Sequence, residues 1–171
     1  NVNAAALSCA RLREIMNEPS PKAGAELLHK DVGEWTAEIT VVPSPGAAPQ
    51  ASKGRLVARL ISGGRWLITD FRNETTGFEG HGVYGYNVAG DRFIGTWVDD
   101  MRTTLHLGEG TWDAATRTMT YVWKATGPDG QTRTWRETTE TISDSHQVFR
   151  VLIPLPDGTD FEMMRADYRR I

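Results

Sequence analysis

The chain has 171 residues, of which 39% are hydrophobic and 24% are charged, a balance typical of one globular domain with a substantial core. Its formal net charge is -3 at pH 7, and its arginines alternate with acidic residues, which argues against a nucleic-acid or anionic-membrane partner. No apolar run approaches the roughly 20 residues that a membrane-spanning helix requires. The single cysteine, Cys9, excludes an internal disulfide.

The beginning of the chain leaves its localisation open. The first residue is not Met, so an upstream segment could have been removed. The string Leu7-Ser8-Cys9 is only faintly similar to a lipoprotein cleavage site, because no basic start and apolar stretch precede it. We therefore slightly favour a cytoplasmic protein over a secreted or periplasmic one that has lost its signal.

Two helices are predicted before the first strand. Residues 3–18 are rich in good helix formers with a rough apolar stripe, and two prolines follow them. A shorter helix is predicted over residues 23–30. We assign residues 1–26 to an N-terminal helical extension that covers one end of the domain formed by residues 27–171.

From residue 35 onward the sequence predicts β-structure. After an extended run at 35–42, the stretch from Pro43 to Gly54 is rich in Pro, Ala, Ser and Gly, which indicates a long hairpin loop or a mobile flap. Turn residues then separate nine runs of strand-forming residues. These runs are 55–61, 65–73, 78–87, 92–99, 104–111, 116–126, 131–142, 146–154 and 160–170.

The connections between these runs are too short for crossover helices, so the strands must be antiparallel neighbours. Closing the sheet on itself removes its two free edges. The sequence therefore predicts an all-β fold, a single antiparallel up-and-down β-barrel of about ten strands.

The turns also predict which residues share a face, because side chains alternate along a strand. If Asn87 pairs with Arg92, and Asp99 with Thr104, then Trp97 faces His106. Continuing through the later turns gives one apolar, aromatic face that we expect to line a cavity, and one charged face in water. The inner face is also rich in glycine, which permits bending or leaves room for a ligand. Its candidate functional residues are Tyr84, Tyr86, Trp97, Asp99, His106, Tyr121, Trp123 and Arg136.

Four short motifs resemble those of a known family. They are Gly33-Glu34-Trp35 after a short helix, Gly85-Tyr86-Asn87 before a turn, Trp97-Val98-Asp99 after that turn, and Tyr168-Arg169-Arg170 at the end. Over residues 27–171 the chain resembles a bacterial family of uncharacterised, lipocalin-like (calycin) barrel domains. In shape, that family is similar to lipocalins, fatty-acid-binding proteins and nitrobindins.

This resemblance implies a lipocalin-like barrel with no established reaction. It also implies that Trp35 lies at the closed end of the barrel beneath an arginine of the last strand, for which Arg165 and Arg169 are the candidates. Nitrobindins bind haem through a histidine near the chain end. Here the last histidine is His146, which lies outside the final strand, so we expect neither haem nor another cofactor.

His106 and Asp99 form the best candidate for acid–base chemistry. A histidine near a carboxylate titrates close to neutral pH and can move protons. The alternative is a polar barrel residue that satisfies buried neighbours. The four histidines are scattered, and no Cys-x-x-Cys, phosphate-loop or nucleophile motif is present, so we expect no metal.

The other candidates suit ligand recognition. Tyr84 and Tyr86 could donate hydrogen bonds to a ligand, or pack with their hydroxyls at the rim. Arg136 could bind a ligand carboxylate in bidentate fashion, or be neutralised by Glu140 on its own strand.

Two functional hypotheses follow. The first is a module that binds a small hydrophobic or aromatic molecule in the cavity, and the absence of a strong nucleophile or cofactor motif favours it. Its predicted ligand-binding residues are Tyr84, Tyr86, Trp97, His106, Tyr121, Trp123 and Arg136. The alternative is a cofactor-free isomerase, lyase or cyclase with His106 and Asp99 as acid and base. A homodimer is left open.

Overall fold

All ten predicted runs are strands of one closed antiparallel barrel in the computed structural model, which describes residues 22–171. Each strand pairs with the next along the chain, and β10 pairs with β1 to close the barrel. The predicted up-and-down barrel is therefore confirmed. The strands are β1 (Gly33–Val41), β2 (Gln50–Ile61), β3 (Trp66–Asn73), β4 (Glu79–Asn87), β5 (Arg92–Asp99), β6 (Arg102–Asp113), β7 (Thr118–Thr126), β8 (Thr132–Ser143), β9 (His146–Pro154) and β10 (Asp160–Arg170).

One helix, α1 (Lys22–His29), covers an end of the barrel, where a helix was predicted over 23–30. Leu28 of α1 is buried and packs with Leu67 and Phe93 of the barrel core. The ring of His29 hydrogen-bonds the Gly64 carbonyl in the 3-10 turn between β2 and β3. The predicted helix at 3–18 lies outside the described residues. Within residues 22–171, no helix is long and apolar enough to cross a membrane.

The first strand is anchored at the same end of the barrel by Trp35. Its side chain is 1% exposed, and its indole Nε1 donates to the Asp31 carbonyl at 2.9 Å. The Arg170 guanidinium lies 4.1 Å from the ring centroid, in a cation–π contact. Arg170 also donates to the Val32 carbonyl, so it fastens the end of β10 to the start of β1.

An arginine of the last strand does cover Trp35, but both candidates for this role, Arg165 and Arg169, were wrong. Trp35 and Arg170 are cross-strand partners, and Tyr168 lines the cavity. Alternation along β10 therefore directs Arg165 and Arg169 to the outer face. Arg165 pairs there with Asp167 at 3.0 Å.

The stretch from Pro43 to Gly54 is only partly a loop. β2 begins at Gln50, and residues 50–54 pair with residues 37–41 of β1. Ala, Ser and Gly have weak strand propensity, so their composition indicates a loop. Hydrogen bonding to a neighbouring strand overrides this preference in the barrel.

The predicted hairpin registers hold through β3, β4 and β5. Asn87 pairs with Arg92, and Trp97 faces both Gly82 and His106, as expected. Asp99 was expected opposite Thr104 but pairs with Arg102, because a bulge follows Trp97. The β6–β7 register is displaced by two residues from the prediction, which leaves every side chain on its predicted face.

The predicted register of β8 was wrong by one residue. Thr126 pairs with Thr132 instead of Gln131, so Trp135 and Glu137 face inward and Arg136 faces outward. A second irregularity, between Thr141 and Ser143, compensates for this shift, so the residues of β9 that were predicted to face inward do face inward. A one-residue slip exchanges the two faces of a strand, and a bulge exchanges them back.

Candidate functional site

The barrel encloses a cavity of about 280 Å³ that extends from α1 to the β3–β4 connection at the opposite end. Most of its wall is apolar or aromatic. The residues of this kind include Leu27, Leu28, Leu56, Leu67, Phe71, Phe78, Trp97, Trp112, Met119, Phe149, Val151 and Met164. The polar lining is provided by Lys30, Asp31, Thr69, Tyr84, Tyr121, Glu137, Thr139, Thr141, Gln147 and Tyr168.

Four aromatic rings are packed together on one side of the barrel. Tyr84 and Tyr121 have ring centroids 5.6 Å apart, and Trp123 lies 5.6 Å from Tyr121. Trp135 of β8 stacks on Trp123 at 6.4 Å. Tyr84 and Tyr121 line the cavity, whereas Trp123 is 1% exposed and lies behind them.

Inner-face glycines make room for these rings. A Cβ atom on Gly108 would come within 2.8 Å of the Trp123 indole, and one on Gly95 within 2.9 Å of the Tyr84 ring. Contacts this short are not tolerated without displacing the ring. The glycines on the inner face therefore accommodate the aromatic cluster beside the cavity.

Glu137 places a carboxyl group in the cavity beside this cluster. It accepts a hydrogen bond from the Trp135 indole Nε1 at 3.1 Å, and it is the cross-strand partner of Tyr121. Burial raises the pKa of Glu137 to about 7, although the indoles of Trp135 and Trp123 lower it somewhat. Trp123 Nε1 lies near enough to lower the pKa of the Glu137 carboxyl group, but it makes no hydrogen bond to it. The part of Glu137 that stays accessible faces the cavity.

Asp31 is the second carboxyl group of the cavity and lies between α1 and β1. Gln147 Nε2 donates to Asp31 Oδ1 at 2.6 Å. Burial raises the pKa of Asp31 to about 6, and the Gln147 hydrogen bond, Arg170 and Lys30 lower it in part. Asp31 is thus a half-buried carboxylate with a hydrogen-bond donor and two compensating cations.

Burial also raises the pKa of Tyr84, Tyr121 and Tyr168, and the Glu137 carboxylate adds to each effect. These phenols therefore stay protonated at neutral pH. Tyr121 is buried, and its hydroxyl has no hydrogen-bond partner among residues 22–171. Within the described part of the chain, the Tyr121 hydroxyl is therefore an unpaired polar group enclosed by the barrel wall.

The structure brings together only some of the residues predicted to bind a ligand. Tyr84, Trp97 and Tyr121 line the cavity, and Trp123 supports them from behind. Tyr86 lies instead beneath Gly24 of α1, in a separate shallow groove. Its hydroxyl donates to the Asp91 carboxylate.

Arg136 was predicted on the inner face, and that placement was wrong. It lies on the outer face opposite Val122 and forms a salt bridge with Asp160. Its expected neutralising partner, Glu140, pairs with Arg150 at 3.2 Å. The cavity therefore has a carboxyl group from β8 where the sequence predicted a guanidinium group.

His106 points inward but does not line the cavity. Its ring packs edge-on against Trp135, with centroids 5.0 Å apart, and burial lowers its pKa. His106 Nε2 has no hydrogen-bond partner in the described part of the chain. Asp99 accepts from the Met101 amide and lies 4.0 Å from Arg102. The two predicted acid–base groups are thus near each other, without a hydrogen bond between them.

Sequence reasoning missed Glu137, Asp31 and Tyr168 as cavity residues. Tyr168 lies two residues before Arg170 on the same strand, so the two side chains lie on the same face. Placing Arg170 over Trp35 would therefore have placed Tyr168 inside the barrel. The residues around Glu137 give no such signal, because both faces of β8 are polar. Among the described residues, no group of three or more His, Cys, Asp or Glu could hold a metal ion.

Residues 22–171 thus form a closed ten-stranded antiparallel barrel with an internal cavity. The chain belongs to the family described as Protein of unknown function (DUF1579), whose model matches residues 20–170. No curated protein matches the chain.

Two solved structures have similar folds. Rv2717c from M. tuberculosis is 12% identical with a TM-score of 0.61, and the match covers 85% of this chain and 96% of that one. The S-type phycobiliprotein lyase CPES from Guillardia theta is 11% identical with a TM-score of 0.59, covering 93% and 97%. At these identities the similarity concerns the fold alone.

Proposed function

We propose that this protein binds a small, largely apolar or aromatic molecule inside its barrel. The observation that carries the proposal is the cavity of about 280 Å³, with a mostly aliphatic and aromatic wall and a few polar groups. This composition is typical of small-molecule sites, in which apolar contacts give affinity and polar groups fix orientation. Tyr84, Trp97 and Tyr121 are the predicted binding residues that would contact the ligand.

The similarity to a phycobiliprotein lyase supports the fold on which this proposal depends. Barrels of about eight or more strands can enclose a small ligand. The catalytic alternative would require His106 and Asp99 to act on the occupant of the cavity, and neither side chain lines it. Binding is therefore the function that the site supports best.

Native mass spectrometry of freshly purified protein tests the proposal directly. We expect a fraction of the molecules to carry extra mass that disappears on denaturation. Titration with an apolar fluorophore should also change the tryptophan emission, because Trp97 lines the cavity and Trp123 lies just behind its wall. Protein that carries no ligand and binds no apolar probe would contradict the proposal.

Filling the cavity should abolish binding. Thr139 of β8 lines the cavity, whereas the adjacent Thr138 faces outward and pairs with Arg150 of β9. We expect Thr139→Trp to weaken binding of an apolar fluorophore by about tenfold or more, because the indole occupies the ligand's volume. Fluorescence titration measures the effect.

Thr138→Trp is the matched control, since it adds the same side chain one residue away on the other face of the strand. It should leave the affinity unchanged. Overpacking costs about 1–3 kcal/mol, so both variants need a melting curve that shows a folded barrel. Equal loss of binding in both folded variants would contradict a ligand site inside the barrel.

A further inference from the structure

The two carboxyl groups of the cavity differ in how their charge is compensated. Asp31 accepts a hydrogen bond from Gln147, and Lys30 and Arg170 both lower its pKa. No cation has such an effect on Glu137. The neighbouring Arg136 points away from the cavity and pairs with Asp160 on the outer face. Glu137 is therefore a half-buried acid without a positive partner among the described residues.

The surroundings of Glu137 are suited to a cation. The hydroxyl of its cross-strand partner Tyr121 is enclosed by the barrel wall and has no hydrogen-bond partner in residues 22–171, so the Glu137 carboxylate itself provides the acceptor oxygens for a ligand's donors. The rings of Tyr84 and Tyr121 line the same cavity. Aromatic faces attract cations, most strongly where water is excluded.

We propose that the cavity selects ligands with a basic nitrogen on an apolar body, and that Glu137 pairs with the ligand's ammonium group. An ammonium group has three donors and no acceptor, which complements the acceptor oxygens of the Glu137 carboxylate. A carboxylic acid would instead bring a third negative charge beside Asp31 and Glu137. The inference rests on the proposed function, because it specifies the class of molecule that the cavity binds.

This pairing makes binding depend on pH. Deprotonated Glu137 attracts the ammonium group, whereas protonated Glu137 does not, and burial raises the pKa of Glu137 to about 7. The other titratable groups that line the cavity are Lys30, whose charge acts on Asp31, and Asp31, Tyr84, Tyr121 and Tyr168, and the tyrosines stay neutral in this range. As pH falls below about 7, amine affinity should therefore decrease about tenfold per pH unit as Glu137 is protonated. Protonation of Asp31 adds to this decrease only below its pKa of about 6.

Three probes of one shape test the inference: 4-phenylbutylamine, butylbenzene and 4-phenylbutanoate. An alkyl ammonium has a pKa of about 10.4, so the amine keeps its charge throughout the experiment. Tryptophan fluorescence titrations at pH 8 should show that the wild-type protein binds the amine about tenfold or more tightly than butylbenzene, and the acid most weakly.

Glu137→Gln keeps the shape and the acceptor for Trp135 but removes the charge. We expect it to abolish the preference for the amine while leaving butylbenzene affinity unchanged, which also shows that the cavity is intact. Glu109→Gln is the control, since Glu109 lies on the outer face in a salt bridge with Arg92 and its loss changes net charge equally. This variant should behave like the wild type.

The outcomes separate the inference from the proposed function. If butylbenzene or the acid binds as tightly as the amine, or if Glu137→Gln keeps the amine preference, the inference is wrong and a binding cavity remains. If none of the three probes binds, while the protein is folded, both are wrong. Amine binding that does not weaken between pH 8 and pH 5 would also overturn the role of Glu137.

Discussion

Replacing Trp35 with alanine is expected to lower the free energy of unfolding by about 3–5 kcal/mol, the usual cost of truncating a large buried aromatic residue. Trp35 is one of the two largest side chains that are fully buried. It joins three parts of the chain, because its indole donates to the Asp31 carbonyl before β1 and its ring lies beneath Arg170 at the end of β10. Alanine would leave a cavity and remove both contacts.

Denaturant unfolding followed by circular dichroism measures this loss. Trp35→Phe should cost clearly less than Trp35→Ala, since it retains a ring beneath Arg170 and loses mainly the indole hydrogen bond, worth about 1 kcal/mol. Met101→Ala provides a baseline, because Met101 is 70% exposed. A Trp35→Ala variant as stable as the Met101→Ala variant would show that Trp35 does not hold the barrel closed.

Glu137 is expected to make the free energy of unfolding fall as pH rises from about 4.5 to about 7. Its pKa is raised from 4.5 to about 7 in the folded protein, so the folded state binds the proton more tightly than the unfolded chain. The resulting stabilisation is complete below the unfolded pKa and is lost as pH rises through the folded pKa. A pKa difference of this size between the folded and unfolded states corresponds to about 3 kcal/mol in the free energy of unfolding. Asp31, whose pKa is raised to about 6, contributes in the same direction.

Comparison with Glu137→Gln isolates the effect of this one carboxyl group. His106 opposes it, because its lowered pKa makes the folded state lose stability as pH falls through the histidine range. That contribution and the one from Asp31 occur in both proteins and cancel in the difference. We therefore expect Glu137→Gln to be about as stable as the wild type near pH 4.5 and about 2–3 kcal/mol more stable at pH 8.

Urea unfolding at several pH values gives this difference. The Glu109→Gln variant, altered on the outer face, should show the wild-type pH profile. A Glu137→Gln variant with the same pH dependence as the wild type would mean that Glu137 is not buried in the folded protein. If the prediction holds, the barrel is destabilised at neutral pH by a carboxylate that we assign to ligand recognition.

The ten strands and their order could be predicted from the sequence because the information is local. Turn residues at short intervals limit the connections to hairpins, and hairpins allow only an antiparallel meander. The turn between Asn87 and Arg92 fixes its register by itself, and this placed Tyr84 and Trp97 correctly on the inner face. Where one face is apolar and the other charged, alternation confirms the register that the turn predicts.

Other features were decided only by the tertiary structure, and β8 is the clearest example. Its sequence, TRTWRETTETIS, has polar residues on both faces, so alternation does not distinguish the two registers. The turn before β8 is one residue longer than predicted, and in it the Gly127 amide donates to the Gln131 carbonyl. The additional residue places Arg136 on the outer face of the barrel and Glu137 on the inner face. The sequence determined that this chain forms a barrel with an aromatic interior. The tertiary structure decided that β8 contributes an acid to the cavity instead of a base, and in this register Trp135 stacks on Trp123 and donates a hydrogen bond to Glu137.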